Sequence, residues 1–440
     1  MYPSDLAIRL GRRLDVESAR LRDLDALFNG ENGGAALLAE RFAGRPVADL
    51  LKVGSNWSRF ALGATAERLA LAAFTTEGKA RPDLWGLWRR SVPASSEALL
   101  WRNVLRHGRG YLTSWGDETG AATITVDSAR TMCHETDARG ATTVAARRWV
   151  DAGGRPRMTL YLPDRVVRVA SAHHVAFDPD TTSPDALPVA VTHWETVEVI
   201  DNPLGRVVVS PVVLRREVRD WRGESDLEPL RGTQAAIDKT LVDLLVISES
   251  LAAPRRWATG VEVPLDPETG EAVDPFAGAG PGRFLVVEAA EANLGPLPAA
   301  DLEGPLALLE RLVEDLLARA AVPRHLAIGG ARGQQVNAES VRAAEAGLLA
   351  RVAARQAALG DGVARAVRLA EEVASGRPGP FVEPRWRPAA TATMSADADA
   401  VAKLVGVGLD PIGVAALVLG LDPAEAEKLR PAAPSGLVAP

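Results

Sequence analysis

Residues 337–376, NAESVRAAEAGLLARVAARQAALGDGVARAVRLAEEVASG, decide how the chain is read. Val341, Ala344, Leu348 and Val352 recur at helical spacing, and the stripe resumes past Gly360-Asp361-Gly362 at Val363, Val367, Ala370 and Ala374. Globular helices average about 11–12 residues, so one of this length has to span something. Asn337 is placed to cap it, and Gly360 and Gly362 mark the expected kink.

Immediately before it, Arg324-His325-Leu326-Ala327-Ile328-Gly329-Gly330-Ala331-Arg332-Gly333-Gln334-Gln335-Val336 has no period and too much glycine for a regular element. A flexible loop is expected there. Two shorter amphipathic helices precede it. The first opens at Ser225 or Asp226, where Ser225 and Glu228 have capping-box spacing, and runs to about Leu251 before Pro254 ends it. The second starts after Gly304 with Pro305 near its first position, carries Leu309, Leu312, Leu316 and Ala320 on one face, and stops before Pro323. Between them, Trp257 to Pro298 reads as strands and turns, with strands at Val261 to Leu265 and Phe284 to Val287 and a turn at Asp266-Pro267-Glu268-Thr269-Gly270.

The part up to Arg222 reads as mixed helix and sheet. Leu84, Trp85, Leu87 and Trp88 form one helix face, and Ala98, Trp101, Val104 and Leu105 form another that ends at Gly108. Alternating segments follow at Tyr111 to Trp115, Thr123 to Val126, Thr143 to Val150, Met158 to Leu162 and Val166 to Ala170. With turns at Gly116 to Gly120 and Asp151 to Arg155, they read as one meander. After Gly376 come a short strand at Phe381 to Trp386, helix from Asp397, and helix starts at Asp410-Pro411 and Asp422-Pro423. The tail from Pro431 to Pro440 is expected to be disordered.

Several strings, in this order, carry a resemblance. Asn56-Trp57-Ser58-Arg59 followed by Ala66-Glu67-Arg68-Leu69 comes first. Asp201-Asn202-Pro203-Leu204-Gly205 with Pro211-Val212, then Gly223-Glu224-Ser225-Asp226-Leu227, come next. Ala338-Glu339-Ser340-Val341-Arg342-Ala343-Ala344-Glu345-Ala346-Gly347-Leu348 completes the set. Together the chain resembles the portal proteins of tailed double-stranded DNA bacteriophages, in their siphovirus-type branch.

The resemblance implies an α+β, portal-type architecture. An α/β wing would cover 1–222, a first stem helix 223–255, a small β-containing clip 256–300 and a second stem helix 301–323. A channel loop would follow at 324–336, the long kinked helix at 337–376, a wing return at 377–394, a small helical crown at 395–430 and a tail at 431–440. It also implies a homo-oligomeric ring, usually of twelve subunits, around a DNA channel at the portal vertex of a virion capsid, assembled in the host cytoplasm. Implied partners are major capsid and scaffold proteins, a packaging terminase ATPase, head-completion proteins and, non-specifically and transiently, double-stranded DNA. No catalytic residue, metal or cofactor comes with it, because the packaging motor is a separate ATPase.

Site expectations follow from that frame. Arg324, His325, Gly329, Gly330, Arg332, Gln334 and Gln335 would project into the bore, or form a solvent-exposed connector. Lys239, Arg311 and Arg319 would form basic rings along the stem, or belong to solvated helix faces and ion pairs. Trp257, Val261, Phe284 and Val286 would belong to the clip, where neighbouring subunits pair strands and protect exposed edges; the alternative is a folded surface flap.

Composition fits this frame. The 440 residues are 47% hydrophobic, enough for two or three domains with buried cores. Eight of the ten tryptophans, Trp57, Trp85, Trp88, Trp101, Trp115, Trp149, Trp194 and Trp221, precede the first stem helix and place the main core there. A single cysteine, Cys133, excludes an internal disulfide and suits a reducing cytoplasm. Met1 to Arg13 lacks the apolar run of a signal peptide, and Ile412 to Leu421 is far short of the ~20 residues that span a bilayer, so no membrane partner is expected. The net charge of −7 argues against a static grip on phosphates and for a bore in which DNA slides, although an acidic protein with no nucleic-acid role would show the same number.

Two rival classes remain: a capsid-associated adaptor or scaffold, and a metal-dependent hydrolase. His173-His174 with Asp178 and Asp180 is the one metal-like cluster, and neighbours on a strand point to opposite faces. Gly329-Gly330-Ala331-Arg332-Gly333 lacks the lysine and Ser/Thr of a phosphate-binding P-loop, and Gly278-Ala279-Gly280-Pro281-Gly282 has no strand-turn-helix context. Cys133-His134 sets a thiol beside an imidazole in sequence only.

Overall fold

The structure, a computed structural model, describes residues 2–31, 55–117, 119–175, 191, 193–214, 221–252, 256–259, 269–270, 293–296, 302–328, 338–390 and 394–419. The chain divides into two units: residues 1–31, 56–231 and 316–440 form the first, and 32–55 with 232–315 the second.

Strand alternation builds the centre of the first unit. Strands β5 (Met132–Thr136), β6 (Thr142–Val150), β7 (Pro156–Tyr161), β8 (Arg165–Ser171) and β9 (Trp194–Asp201) form an antiparallel meander in that order. Every second residue, among them Val144, Ala146, Leu160 and Val167, faces helix α1 (Pro3–Asn29), whose Leu6, Ala7, Leu10 and Leu14 cover them. Asp151 shapes the β6–β7 turn by accepting from Gly153 N at 3.0 Å and Arg155 N at 2.9 Å.

The single meander expected from the sequence is two sheets. Strands β3 (Arg109–Gly116) and β4 (Ala122–Ser128) leave it and pair with β10 (Val209–Val213) in the order β10-β3-β4. A turn at Ser128 to Thr131 separates β4 from β5, and a strand about eighty residues downstream takes the second edge of β3. A third small sheet, in the order β13-β1-β2, joins β1 (Leu71–Thr76), β2 (Lys79–Ala80) and the expected short strand, β13 (Glu383–Trp386).

Helices α2 (Trp57–Ala66), α3 (Pro82–Ser91) and α4 (Ala94–His107) complete this region. Asn56 caps α2 by accepting from Arg59 N at 3.1 Å, and α4 stops at Gly108 in the left-handed region, φ 83°. Trp88 and Trp101 are fully buried, and both indole N–H groups donate to the buried carboxylate of Glu97 at 3.3 and 3.2 Å.

Helix α5 spans Arg231–Ala252, α6 Glu303–Arg319, α7 Arg324–Ile328 and α8 Ala338–Ser375. The 38-residue α8 packs on β3, β10, β4 and β13. Leu348, Val352, Val363, Val367 and Ala370 are buried as the stripe requires, whereas Ala344 and Ala374 are exposed near its ends. Gly360 and Gly362 lie inside continuous helix, and both sit close to neighbouring strands. A Cβ on Gly362 would stand 2.8 Å from Pro211 O, and one on Gly360 would stand 3.3 Å from Pro384 Cγ. The cap expected at Asn337 lies outside the described residues.

Strands β11 (Arg256–Thr259) and β12 (Asn293–Pro296) pair antiparallel in the second unit, Trp257 opposite Gly295. The strands expected at Val261 to Leu265 and Phe284 to Val287 lie outside the described residues. On α5, the Asp238 carboxylate accepts from Ser55 Oγ at 3.0 Å and Gln234 Nε2 at 2.9 Å. Helices α9 (Met394–Gly406) and α10 (Pro411–Leu419) close the described chain, the first beginning before the expected Asp397 and the second at the expected Asp410-Pro411. Asp422-Pro423 and the tail lie outside it. No helix among the described residues is long and apolar enough to cross a membrane.

Candidate functional site

The segment leading into α5 is held more densely than any capping rule requires. Gly223, at φ +69°, lies against Gly108; a Cβ there would stand 2.1 Å from Gly108 O, so no side chain fits. Arg109 Nη1 donates to Arg222 O at 3.0 Å, and Arg20 Nη2 donates to Gly223 O at 3.2 Å. Ser225 Oγ donates to the carbonyls of Leu105 and Arg106, and Asp226 N donates to Leu105 O at 2.8 Å. The Asp226 carboxylate, 4% exposed, takes Arg355 at 2.5 Å and Arg351 at 3.3 Å, both from α8.

These contacts correct the expected start of the first stem helix. Ser225 turns its hydroxyl to α4 and accepts from Leu227 N at 3.1 Å, while Glu228 pairs with Arg20 at 2.7 Å, so the capping box is not made. A 3-10 turn over Glu228–Leu230 intervenes, and α5 begins at Arg231.

Behind the clamp lies a buried polar network. Glu17, 3% exposed, pairs with Arg222 at 3.0 Å, Arg109 at 3.4 Å and Arg20 at 3.5 Å. Arg109 Nε donates to Tyr111 Oη at 3.2 Å, and that hydroxyl lies 3.1 Å from His134 Nδ1. Burial pushes the Tyr111 phenol up to about 12. The Arg13 guanidinium stacks 3.4 Å from the Trp221 ring centroid. On α4, His107 lies 2.7 Å from Asp25, and burial pushes its pKa below the ordinary imidazole value. Burial alone would raise the Asp25 carboxyl, but the His107 hydrogen bond and the charges of His107, Arg106 and Arg130 outweigh it and hold it low.

The sequence-predicted site residues are distributed differently. Arg324 and His325 lie in α7, a helical turn where a loop was expected; Pro323 ends the preceding segment and its carbonyl accepts from Leu326 N at 3.1 Å. His325 Nε2 lies 3.4 Å from Glu345 Oε1 on α8. Gly329, Gly330, Arg332, Gln334 and Gln335 lie outside the described residues. Lys239 pairs with Asp243 on its own helix, Arg311 lies 3.7 Å from Glu314, and Arg319 is exposed near the end of α6. Trp257 sits in β11, while Val261, Phe284 and Val286 fall outside the described residues.

The possible catalytic pair separates. Cys133 faces α1, with Sγ 3.6 Å from Leu10 O, and burial raises its thiol to about 12; His134 points across the sheet to Tyr111 and Trp221. His174 Nδ1 lies 2.9 Å from Gly153 O, and Asp178 and Asp180 lie outside the described residues. No group of three metal-ligating side chains occurs among the described residues.

Sequence reasoning missed Glu17, Arg20, Arg351 and Arg355. Glu17 stood out only as a charge in line with Leu10, Leu14, Leu21 and Leu24, while Arg20, Arg351 and Arg355 look like ordinary charges on helices that carry many, and their partners lie too far along the chain to infer. The clamp fixes backbone and holds carboxylates against guanidinium groups, tying the segment before α5 to the long helix α8.

A profile described as "Phage portal protein, SPP1 Gp6-like" matches residues 52–411. The chain belongs to this family of phage portal proteins. It is 28% identical over 401 residues to the portal protein of Mycobacterium phage D29, across 85% of this chain and 78% of that protein. The portal protein of Mycobacterium phage L5 is 25% identical over 407 residues, with 85% and 77% covered. A chain in the solved neck of an empty gene transfer agent particle shares 15% identity over 89% of this chain and 95% of its own, with a TM-score of 0.47. Portal function at a phage head vertex goes with family membership, and the family is structural rather than enzymatic.

Proposed function

We propose that copies of this chain close into a ring of about twelve subunits around a passive channel for double-stranded DNA, which admits the genome during packaging and passes it out on ejection. The observation that carries this reading is the extent of the family match, residues 52–411, which takes in the clamp, both stem helices and the long helix. In this reading residues 324–336 border the bore, residues 256–300 form the clip that docks the packaging terminase and the head-completion proteins, and capsid and scaffold proteins surround the ring. Assembly takes place in the host cytoplasm.

The charge supports a conduit rather than a grip. A ring of about twelve chains at −7 each carries roughly −84, which repels phosphates along a sliding path. Lys239 and Arg311, each beside an acid on its own helix, moderate that repulsion without holding the duplex.

Deleting Gly329 to Gly333 tests the channel part of the reading. Rings should still form, while packaging or retention of DNA in a complementation assay should fall. Full packaging and retention by the deletion variant would sink it.

A further inference from the structure

Helix α6 is apolar over more of its surface than one neighbouring helix covers. In its first turns Pro305, Leu306, Leu308, Leu309 and Leu312 wrap roughly 160° of the circumference, whereas a stripe of about 100° serves to pack on a single partner. One side of this arc faces α5. There Pro305, Leu308 and Leu312 line a groove of about 720 Å³ together with Ala236, Thr240 and Ile247 of α5, all within the second unit. The groove is open, and Leu308 stays 52% exposed in it.

The other side of the arc is a ridge. Leu306 is 48% exposed, Leu309 follows it, and Leu302 precedes it by one turn, its carbonyl accepting from Leu306 N at 3.0 Å. Leucines at i, i+4 and i+7 are how a helix presents itself to an apolar groove. Leu306 and Leu309 are turned roughly 110° round α6 from Leu308 and Leu312, so the ridge points away from the groove beside it. Charge at the two edges is complementary. Glu310, exposed one turn from Leu306, has no ion-pair partner among the described residues, and the groove edge carries Lys239, whose side chain is 63% exposed even with Asp243 beside it.

We propose that the Leu302-Leu306-Leu309 ridge of one copy packs into the α5–α6 groove of the next. Ridge and groove lie on one helix pair and face different ways, so the contact is head-to-tail: every chain gives its ridge to one neighbour and its groove to the other, which is the arrangement that closes into a ring. The contact rests on the ring reading and assigns that ring a closing surface.

The test pairs cysteines across the contact in the full-length protein, where the native Cys133 is buried. Under mild oxidation, Leu306→Cys combined with Leu308→Cys, or with Leu312→Cys, should give a ladder of disulfide-linked oligomers on a non-reducing gel, while each single substitution should give none. A link within one chain is excluded for the first pair, because residues two apart on a helix point to different sides. Leu306→Arg, at an exposed position, should keep the parent's circular dichroism and lose the rings that native mass spectrometry finds for the parent. Rings that persist in Leu306→Arg, no ladder from either pair, or dimers from Leu306→Cys alone, which mark a two-fold contact, would overturn the proposal and leave the ring reading standing. A parent that forms no rings under any condition would sink both.

Discussion

Asp226 is the single side chain on which the clamp depends most. Its buried carboxylate answers Arg351 and Arg355, so Asp226→Asn leaves two guanidinium groups without their counter-charge and should cost about 3 kcal/mol in urea denaturation, the lower end for a broken buried pair because Arg355 is partly exposed. A midpoint matching the parent would remove the clamp from the account. His107 and Asp25 set a pH dependence. The buried His107 resists protonation, so below about pH 6.5 the unfolded chain takes up a proton that the fold does not, and stability should fall from pH 7.5 to 5.5. The depressed Asp25 carboxyl adds a second loss below about pH 4, where the unfolded chain protonates first. Urea midpoints across this range, with His107→Gln flattening the upper part of the decline, provide the check; a flat profile in the parent contradicts it. Cys133 should stay unmodified by thiol reagents until the protein unfolds, since burial holds the thiol near 12. Little of this was legible beforehand, because nothing in a sequence pairs Asp226 with an arginine 125 residues away.

At the scale of elements, α8 was the most legible part, because a long apolar stripe has few other readings. The close approach at Gly362 was not legible in the sequence, because only the strand lying against it reveals it. Gly362→Ala should destabilise by about 1–3 kcal/mol by forcing α8 off Pro211 and Val212. Gly347→Ala, whose Cβ would make an ordinary 3.8 Å contact with Ala321, should stabilise by about 0.5–1 kcal/mol. Thermal or urea denaturation of the pair separates the two roles, and equal effects would refute the packing argument. Helix α1 carries Leu6, Leu10, Leu14, Leu21 and Leu24, but Gly11 and the buried Glu17 interrupt its stripe, so the sequence did not single it out. The capping box misled because Ser225 and Glu228 both found tertiary partners, and the one expected meander became two sheets because the chain turns at Ser128 to Thr131 and β4 and β5 do not pair.

For the whole molecule, the order of the strings from Asn56 to Leu348 led to the portal family before any geometry was considered, and the match over residues 52–411 bears that out. The candidate site did not follow in the same way. The clip strands and most of the channel loop fall outside the described residues, while the clamp at Gly223 to Glu228 emerged only from contacts between distant segments. The central claim is that this chain closes into a ring, since both the channel and the docking surfaces depend on closure. Negative-stain electron microscopy of the purified full-length protein, with native mass spectrometry on the same sample, tests it most directly. The expected result is closed rings of about twelve subunits with a central hole. A protein that stays monomeric or dimeric even when co-expressed with its scaffold would contradict the account.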